Sequence, residues 1–198
     1  KPPITWDEFR EYARLLARHS GSEMTVAGMS FSHSNHWQYY APFLFQAGGS
    51  IFNVDGTQPA FHEDAGQEAL QFIVDMVHVD RSSSVLTHGG LGGGQAAMTY
   101  EGDWVLHQPA SGERTVALED VGVGPPLMHQ EQTTIAHVNK WAIIDTGKDP
   151  ELAWRWIEYV SRPDVMRAFA HAKSHVPARL SVGQMAPRGE DPRWGVFY

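Results

Sequence analysis

Gly94-Gln95-Ala96-Ala97-Met98-Thr99-Tyr100-Glu101-Gly102-Asp103-Trp104 is the stretch on which the reading of this chain turns. Its first half is small and apolar, suited to a buried strand over 96–100, and it ends abruptly in a charged turn that contains glycine. The turn delivers two carboxylates, Glu101 and Asp103, and then the indole of Trp104. A hidden strand that hands polar and aromatic groups to a loop is one way of building a binding surface. A core strand followed by a core tryptophan is the plainer alternative.

Working outward, residues 81–94 are polar and rich in glycine, which predicts a loop, and the helical spacing of Ala69, Leu70, Phe72, Ile73, Met76 and Val77 predicts a helix over 62–78. Nearer the start, Thr5-Trp6-Asp7-Glu8 is a capping box that opens a helix running to about 18. A strand over 24–29, a polar loop and a helix over 36–46 follow, the last closed by Gly48-Gly49. Residues 50–53 read as a short strand, and Asp55-Gly56 as a hairpin turn leading into 59–61. Beyond Trp104 the expected elements are a short helix over 104–108, a loop, and an edge strand over 121–127 interrupted by Pro125-Pro126. Extended segments over 133–138 and 140–145 lead to Asp149-Pro150-Glu151, a helix start with an apolar face of Leu152, Ala153, Trp156, Ile157 and Val160. A further helix opens at Ser161-Arg162-Pro163-Asp164, and the pattern fades into coil from His175. The class is α/β.

The 198 residues carry 15 basic and 23 acidic side chains, a net charge of −8, and the basic ones nowhere cluster. A phosphate-backbone footprint is therefore missing, which argues against nucleic acid and against anionic membrane surfaces. With no cysteine there are no disulfides, thiolate metal sites or thiol nucleophiles. The longest apolar run, around 39–45, is broken by Pro42 and too short to enter a membrane. Opening at Lys1-Pro2-Pro3, with neither signal peptide nor initiator Met, the chain reads as a piece of a longer precursor.

Gly92-Gly93-Gly94-Gln95-Ala96-Ala97 satisfies a dinucleotide fingerprint formally, but a strand and a charged turn follow it where a long helix is needed. His33, His36, His62 and His88 with Glu63 lack the spacing of a regular metal site and read as surface histidines, so neither metal nor cofactor is expected. No nucleophile elbow appears, and Glu101 and Asp103, two residues apart on a turn, suit hydrogen bonds to a polyol better than acid/base catalysis. An enzyme is not expected. Among seven tryptophans, Trp37, Trp104 and Trp141 sit where an ordered element meets a loop, positioned to stack on sugar rings or cations; Trp6, Trp154 and Trp156 fall within helices and read as structural.

Taken in order, certain pieces resemble the bacterial ABC-transporter extracellular solute-binding proteins of family 1, the group that includes maltose- and oligosaccharide-binding proteins. Those pieces are Pro3-Ile4-Thr5-Trp6-Asp7-Glu8-Phe9; Trp37 with Phe43-Leu44 and Gly48-Gly49; Asn53, Asp55 and Gly56; and Ala69-Leu70 with Phe72. Gly94-Gln95-Ala96-Ala97-Met98 with Gly102 and Trp104, the run 121–126, Asp149-Pro150-Glu151-Leu152-Ala153-Trp154 and Pro177-Ala178-Arg179 continue the series. The resemblance implies a type II periplasmic-binding-protein fold, two α/β lobes joined by crossing strands with the ligand closed between them. Residues 1–130 would be most of the second lobe, 131–180 would cross back and return to the first, and 181–198 would lead towards the second again. The start of the amino-terminal lobe and the carboxy-terminal helical tail of that pattern are not in this sequence, and His137-Val138-Asn139 stands where members commonly show a Gly-Gly turn.

Carried over by position, the family pattern places ligand contacts at Asn35, His36 and Trp37, at Glu101, Gly102, Asp103 and Trp104, near Asn139 and Trp141, and at Arg179. The implied function is capture of a sugar or oligosaccharide by lobe closure and delivery to the transmembrane permease of an ABC importer, with no bond made or broken. The implied protein is monomeric when full length and works outside the cytoplasmic membrane, as a periplasmic protein or surface lipoprotein. The rivals are a receptor for a polyamine, peptide or phosphodiester and, from another class, a glycoside-acting enzyme using Glu101 and Asp103.

Overall fold

The computed structural model describes residues 1–31, 37–85, 90–106, 115–173, 175–185 and 190–197. The chain divides into two compact units, one formed by Lys1–Glu101 with Gln108–Ile135 and the other by Gly102–His107 with Ala136–Tyr198.

The first unit is built on α1 (Trp6–Leu16) and a small sheet. The capping box forms as the sequence predicts: Glu8 N–H donates to Thr5 Oγ1 at 3.2 Å, while the Glu8 carboxylate accepts the N–H groups of Ile4 and Thr5. Those two amides, Ile4 first, hold the Glu8 carboxyl below its usual range. One turn apart on a single face, Trp6, Phe9 and Ala13 enter the core. The chain then turns through β1 (Arg18–Ser20), a short antiparallel partner that the sequence reading missed, into β2 (Glu23–Ser30).

β2 is the centre of the sheet. Its second half pairs in parallel with β3 (Ser83–Ser84) on Met29↔Ser83 and Ser30↔Ser84, and with β4 (Ala96–Thr99) on Ala27↔Ala96, Met29↔Met98 and Ser30↔Thr99. β3 lies inside the stretch 81–94 that composition predicted to be loop; Ser82 and Ser83 are buried there, because backbone pairing with β2 needs no apolar side chain. Between β2 and β3 run α2 (Trp37–Gln46) and α3 (Asp64–Val74), and α3 continues into a π-helical turn, Asp75–Val79. The core gathers Trp6, Phe9, Met29, Phe43, Leu44 and Phe72 between α1, β2, α2 and α3. Packing is tight at Gly28, where an added Cβ would stand 1.8 Å from the Ala13 carbonyl oxygen.

Gln46 is fully buried and joins four segments. Its side-chain oxygen accepts the Trp6 indole N–H at 2.7 Å, and its NH₂ donates to the Tyr100 hydroxyl at 3.0 Å and the Thr133 carbonyl at 2.8 Å. Its own carbonyl accepts the N–H groups of Gln130 and Glu131. Residues 121–127, expected as an edge strand, form no ladder; the chain is held there by the bridge Thr5↔Met128 and by these bonds to Gln46. The hairpin expected over 50–61 reduces to one bridge, Phe52↔Pro59, around a turn in which Asn53 Oδ1 accepts the N–H groups of Thr57 and Gln58. The segments 133–138 and 140–145 likewise carry no strand pairing.

The π turn sets up an ion cluster at Asp80, whose buried carboxylate takes both Arg10 and Arg14 of α1. The Arg10 hydrogen bond holds the Asp80 carboxyl below its usual range, burial opposes that, and Arg14 adds to it. A depressed folded pKa means stability that is present above the unfolded value, about 4, and is lost as pH falls through the folded one. Asp80→Asn is therefore expected to cost about 1–3 kcal/mol at pH 7. In urea titrations the gap to wild type should narrow as pH drops below about 4, and a constant gap would reject the charge-based account.

The second unit holds α4 (Pro150–Val160), α5 (Pro163–Lys173), α6 (Leu180–Gly183) and a 3₁₀ turn at Pro192–Phe197, the last two within the stretch predicted as coil. Asp149 caps α4 by accepting the Leu152 N–H at 2.9 Å, with Pro150 in the first helical position. The amphipathic pattern of α4 is present, yet none of its residues is buried. Trp154 and Trp156, expected to be structural, are half exposed, as are Leu152 and Tyr159. Helical period fixes which residues share a face and is silent on what packs against it.

Candidate functional site

In the first unit β3 and β4, reached one after the other along the chain, lie on opposite sides of β2. That crossover makes the carboxyl end of β2 a topological switch point, where open parallel sheets bind ligands. Ser30, Ser84 and Thr99 end the three strands there, and Tyr100 and Glu101 follow β4 directly. Trp37, the first residue of α2, has 48% of its surface exposed. Asn35 and His36, expected beside it, lie outside the described residues, as do His33 and His88.

Glu101 is half-buried and accepts the Tyr39 hydroxyl at 2.9 Å. Burial pushes the Tyr39 phenol up, the neighbouring Glu101 charge pushes it further, and a hydrogen bond from the Thr99 side chain pulls the other way. The phenol therefore stays protonated and donates. Tyr39, Ser30 and Thr99 were not singled out in the sequence. A Tyr two residues into a helix reads as core, and only the sheet topology shows that it meets the end of β4.

In the second unit Asp103 opens a 3₁₀ turn, Asp103–Leu106, and its carboxylate accepts the Val176 N–H and lies 3.4 Å from His175 Nδ1. It thus fastens the residues after Gly102 to the segment ahead of α6. The Trp104 ring lies over Gly102, since a Cβ there would come within 2.2 Å of the ring, and 36% of Trp104 is exposed. Asn139 is exposed and Trp141 is 63% exposed, both on irregular chain. Arg179 donates through Nε to the Ser161 carbonyl at 3.1 Å and borders a surface hollow of about 560 Å³ with Trp154, Tyr159 and Arg162. Among the described residues no group of three His, Asp or Glu side chains is arranged to hold a metal ion. No described helix is long and apolar enough to cross a membrane.

Parallel strands ending in polar and aromatic groups, with exposed indoles at loop edges, are features of a receptor for a small polar solute. A family model described as bacterial extracellular solute-binding protein matches residues 1–193. The chain belongs to that family. Among solved structures, this solute-binding protein is similar to one from Thermotoga lettingae TMO bound with α-D-tagatose, at 21% identity and a TM-score of 0.74, covering 99% of this chain and 52% of that one. The maltose/maltodextrin-binding domain MalE from Bdellovibrio bacteriovorus, bound to maltotriose, matches at 18% identity and a TM-score of 0.73 over 99% of this chain and 53% of its own. UgpB from Mycobacterium tuberculosis, in complex with glycerophosphocholine, matches at 16% and 0.71 over 99% and 50%. At these identities the likeness concerns the fold, which is the mixed α/β fold of solute-binding proteins. The chain spans about half the length of the structures it matches.

Proposed function

We propose that this protein is the substrate-binding component of an ABC importer, capturing a sugar or oligosaccharide outside the cytoplasmic membrane and delivering it to a membrane permease without catalysis. On this reading 1–130 is most of the second lobe, 131–180 the segment returning to the first and 181–198 the lead back. The observation that carries the choice of solute is the exposure of Trp37, Trp104 and Trp141 at loop edges, in a family of extracellular solute-binding proteins. An exposed indole offers an apolar plate to the C–H face of a sugar ring, while carboxylates and amides beside it take the hydroxyls. A surface lipoprotein anchor, or free passage in the periplasm, fits the family's extracellular description.

The site residues proposed are Asn35, His36, Trp37, Glu101, Gly102, Asp103, Trp104, Asn139, Trp141 and Arg179. Asp103 already accepts a backbone amide and Glu101 a phenol, which supports hydrogen-bonding roles over an acid/base pair. Thermal-shift titration of the intact protein should show stabilisation by a few sugars and by no amino acid. Trp104→Ala is expected to weaken the best sugar tenfold or more, about 1.4 kcal/mol, with the melting temperature kept. A collapse of the fold in that variant, or hydrolysis of chromogenic glycosides that Glu101→Gln abolishes, would overturn the reading.

A further inference from the structure

We propose that Tyr39 is a positioning residue for Glu101, and that the pair makes the sheet end of the first unit select solutes presenting hydrogen-bond donors, hydroxyl or ammonium, and reject those presenting an anion. The proposal rests on the function read above and gives one of its contacts a chemistry.

Tyr39 is buried on the first turn of α2, and its O–H points to Glu101 Oε1 at 2.9 Å. The direction is fixed by chemistry: an ionised carboxylate only accepts, so the phenol donates. A carboxylate held by a buried donor has little side-chain freedom left to lose when a ligand arrives, so its contact is worth more than that of a loose surface Glu.

Glu101 is half-buried and follows β4 directly, at the switch point and at the sheet end from which α2 departs with Trp37. An acceptor-only group there rewards hydroxyls and ammonium ions, whereas a phosphate or carboxylate placed against it meets like charge in a partly desolvated setting. The whole chain, at −8 with no cluster of Lys or Arg, adds a field of the same sign. Trp37 suits both permitted classes, stacking on a sugar face or on a cation.

The test is isothermal titration of the intact protein with maltotriose, spermidine and glycerol 3-phosphate, in wild type, Glu101→Gln, Tyr39→Phe and the double variant. Wild type should bind maltotriose or spermidine, which separates a hydroxyl source from an ammonium source, and should not bind glycerol 3-phosphate. Glu101→Gln should weaken the bound probe tenfold or more and narrow the discrimination against glycerol 3-phosphate. Tyr39→Phe should weaken the probe three- to tenfold at an unchanged melting temperature, and by less than twofold once Glu101 is already Gln. A Tyr39 effect of equal size in both backgrounds, or an affinity indifferent to Glu101→Gln, would leave the pair as a mere pin between α2 and β4 and overturn the proposal while the transport reading stands. Should Tyr39→Phe fail to fold, unchanged discrimination in Glu101→Gln alone overturns it. Should the thermal-shift panel select another sugar, that sugar replaces maltotriose; a wild type that binds no sugar of the panel and neither of the other two probes removes the function reading and this inference with it.

Discussion

Gly28→Ala is expected to leave the first unit unfolded or close to it. The new methyl would sit 1.8 Å from the Ala13 carbonyl oxygen and 2.5 Å from its carbon, so the clash is with backbone on both sides. Neither side can yield cheaply. Gly28 N–H donates to the Ser82 carbonyl at 2.8 Å and the neighbouring Ala27 N–H to the Gln95 carbonyl at 2.9 Å, fixing β2 between its partners. α1 is fixed in turn by Trp6, Phe9 and Ala13 in the core. Ordinary overpacking costs about 1–3 kcal/mol because side chains adjust; with main chain on both sides the loss should exceed about 3 kcal/mol. Guanidinium unfolding followed by far-UV circular dichroism would read it directly. Gly122→Ala, where an added Cβ meets nothing within 4 Å, is the control and should stay within about 0.5 kcal/mol.

The second large effect is expected at Gln46→Leu, a change that keeps volume and removes every polar contact of the buried amide. The Trp6 indole N–H loses its acceptor and the Thr133 carbonyl its donor, whereas the Tyr100 hydroxyl keeps the Thr134 side chain at 3.3 Å. Two orphaned groups at about 1–3 kcal/mol each place the loss near 3–5 kcal/mol. Combining Gln46→Leu with Trp6→Phe should recover part of it, since the indole donor then no longer needs a partner, and strict additivity of the two losses would refute the account.

Where the fold could be read in advance, local chemistry and tertiary structure agreed. Thr5 and Glu8 announce α1 because the capping box is closed within four residues, and Asp149-Pro150 announces α4 for the same kind of reason. What escaped was decided at a distance. β3 is two serines with no strand signature, buried because β2 pairs beside it. Gln46 has the look of a solvated helix end and is instead the joint between Trp6, Tyr100 and 130–133. The site shows the same division. Loop-edge indoles mark Trp37, Trp104 and Trp141 in the sequence, whereas Tyr39 needs the meeting of α2 with β4 to be seen, and the hold of Asp103 on Val176 spans 73 residues. Charge pattern and aromatic placement are local quantities, and partnership is not.

The distribution of the indoles has an optical consequence. Trp6 and Trp194 are enclosed, and Trp6 lies nearly parallel to the His129 ring with centroids 4.2 Å apart. Trp37, Trp104, Trp141, Trp154 and Trp156 face water and dominate the red side of the emission band. A solute that dries Trp37 or Trp104 would therefore move the band towards the blue, a built-in readout for the capture proposed above.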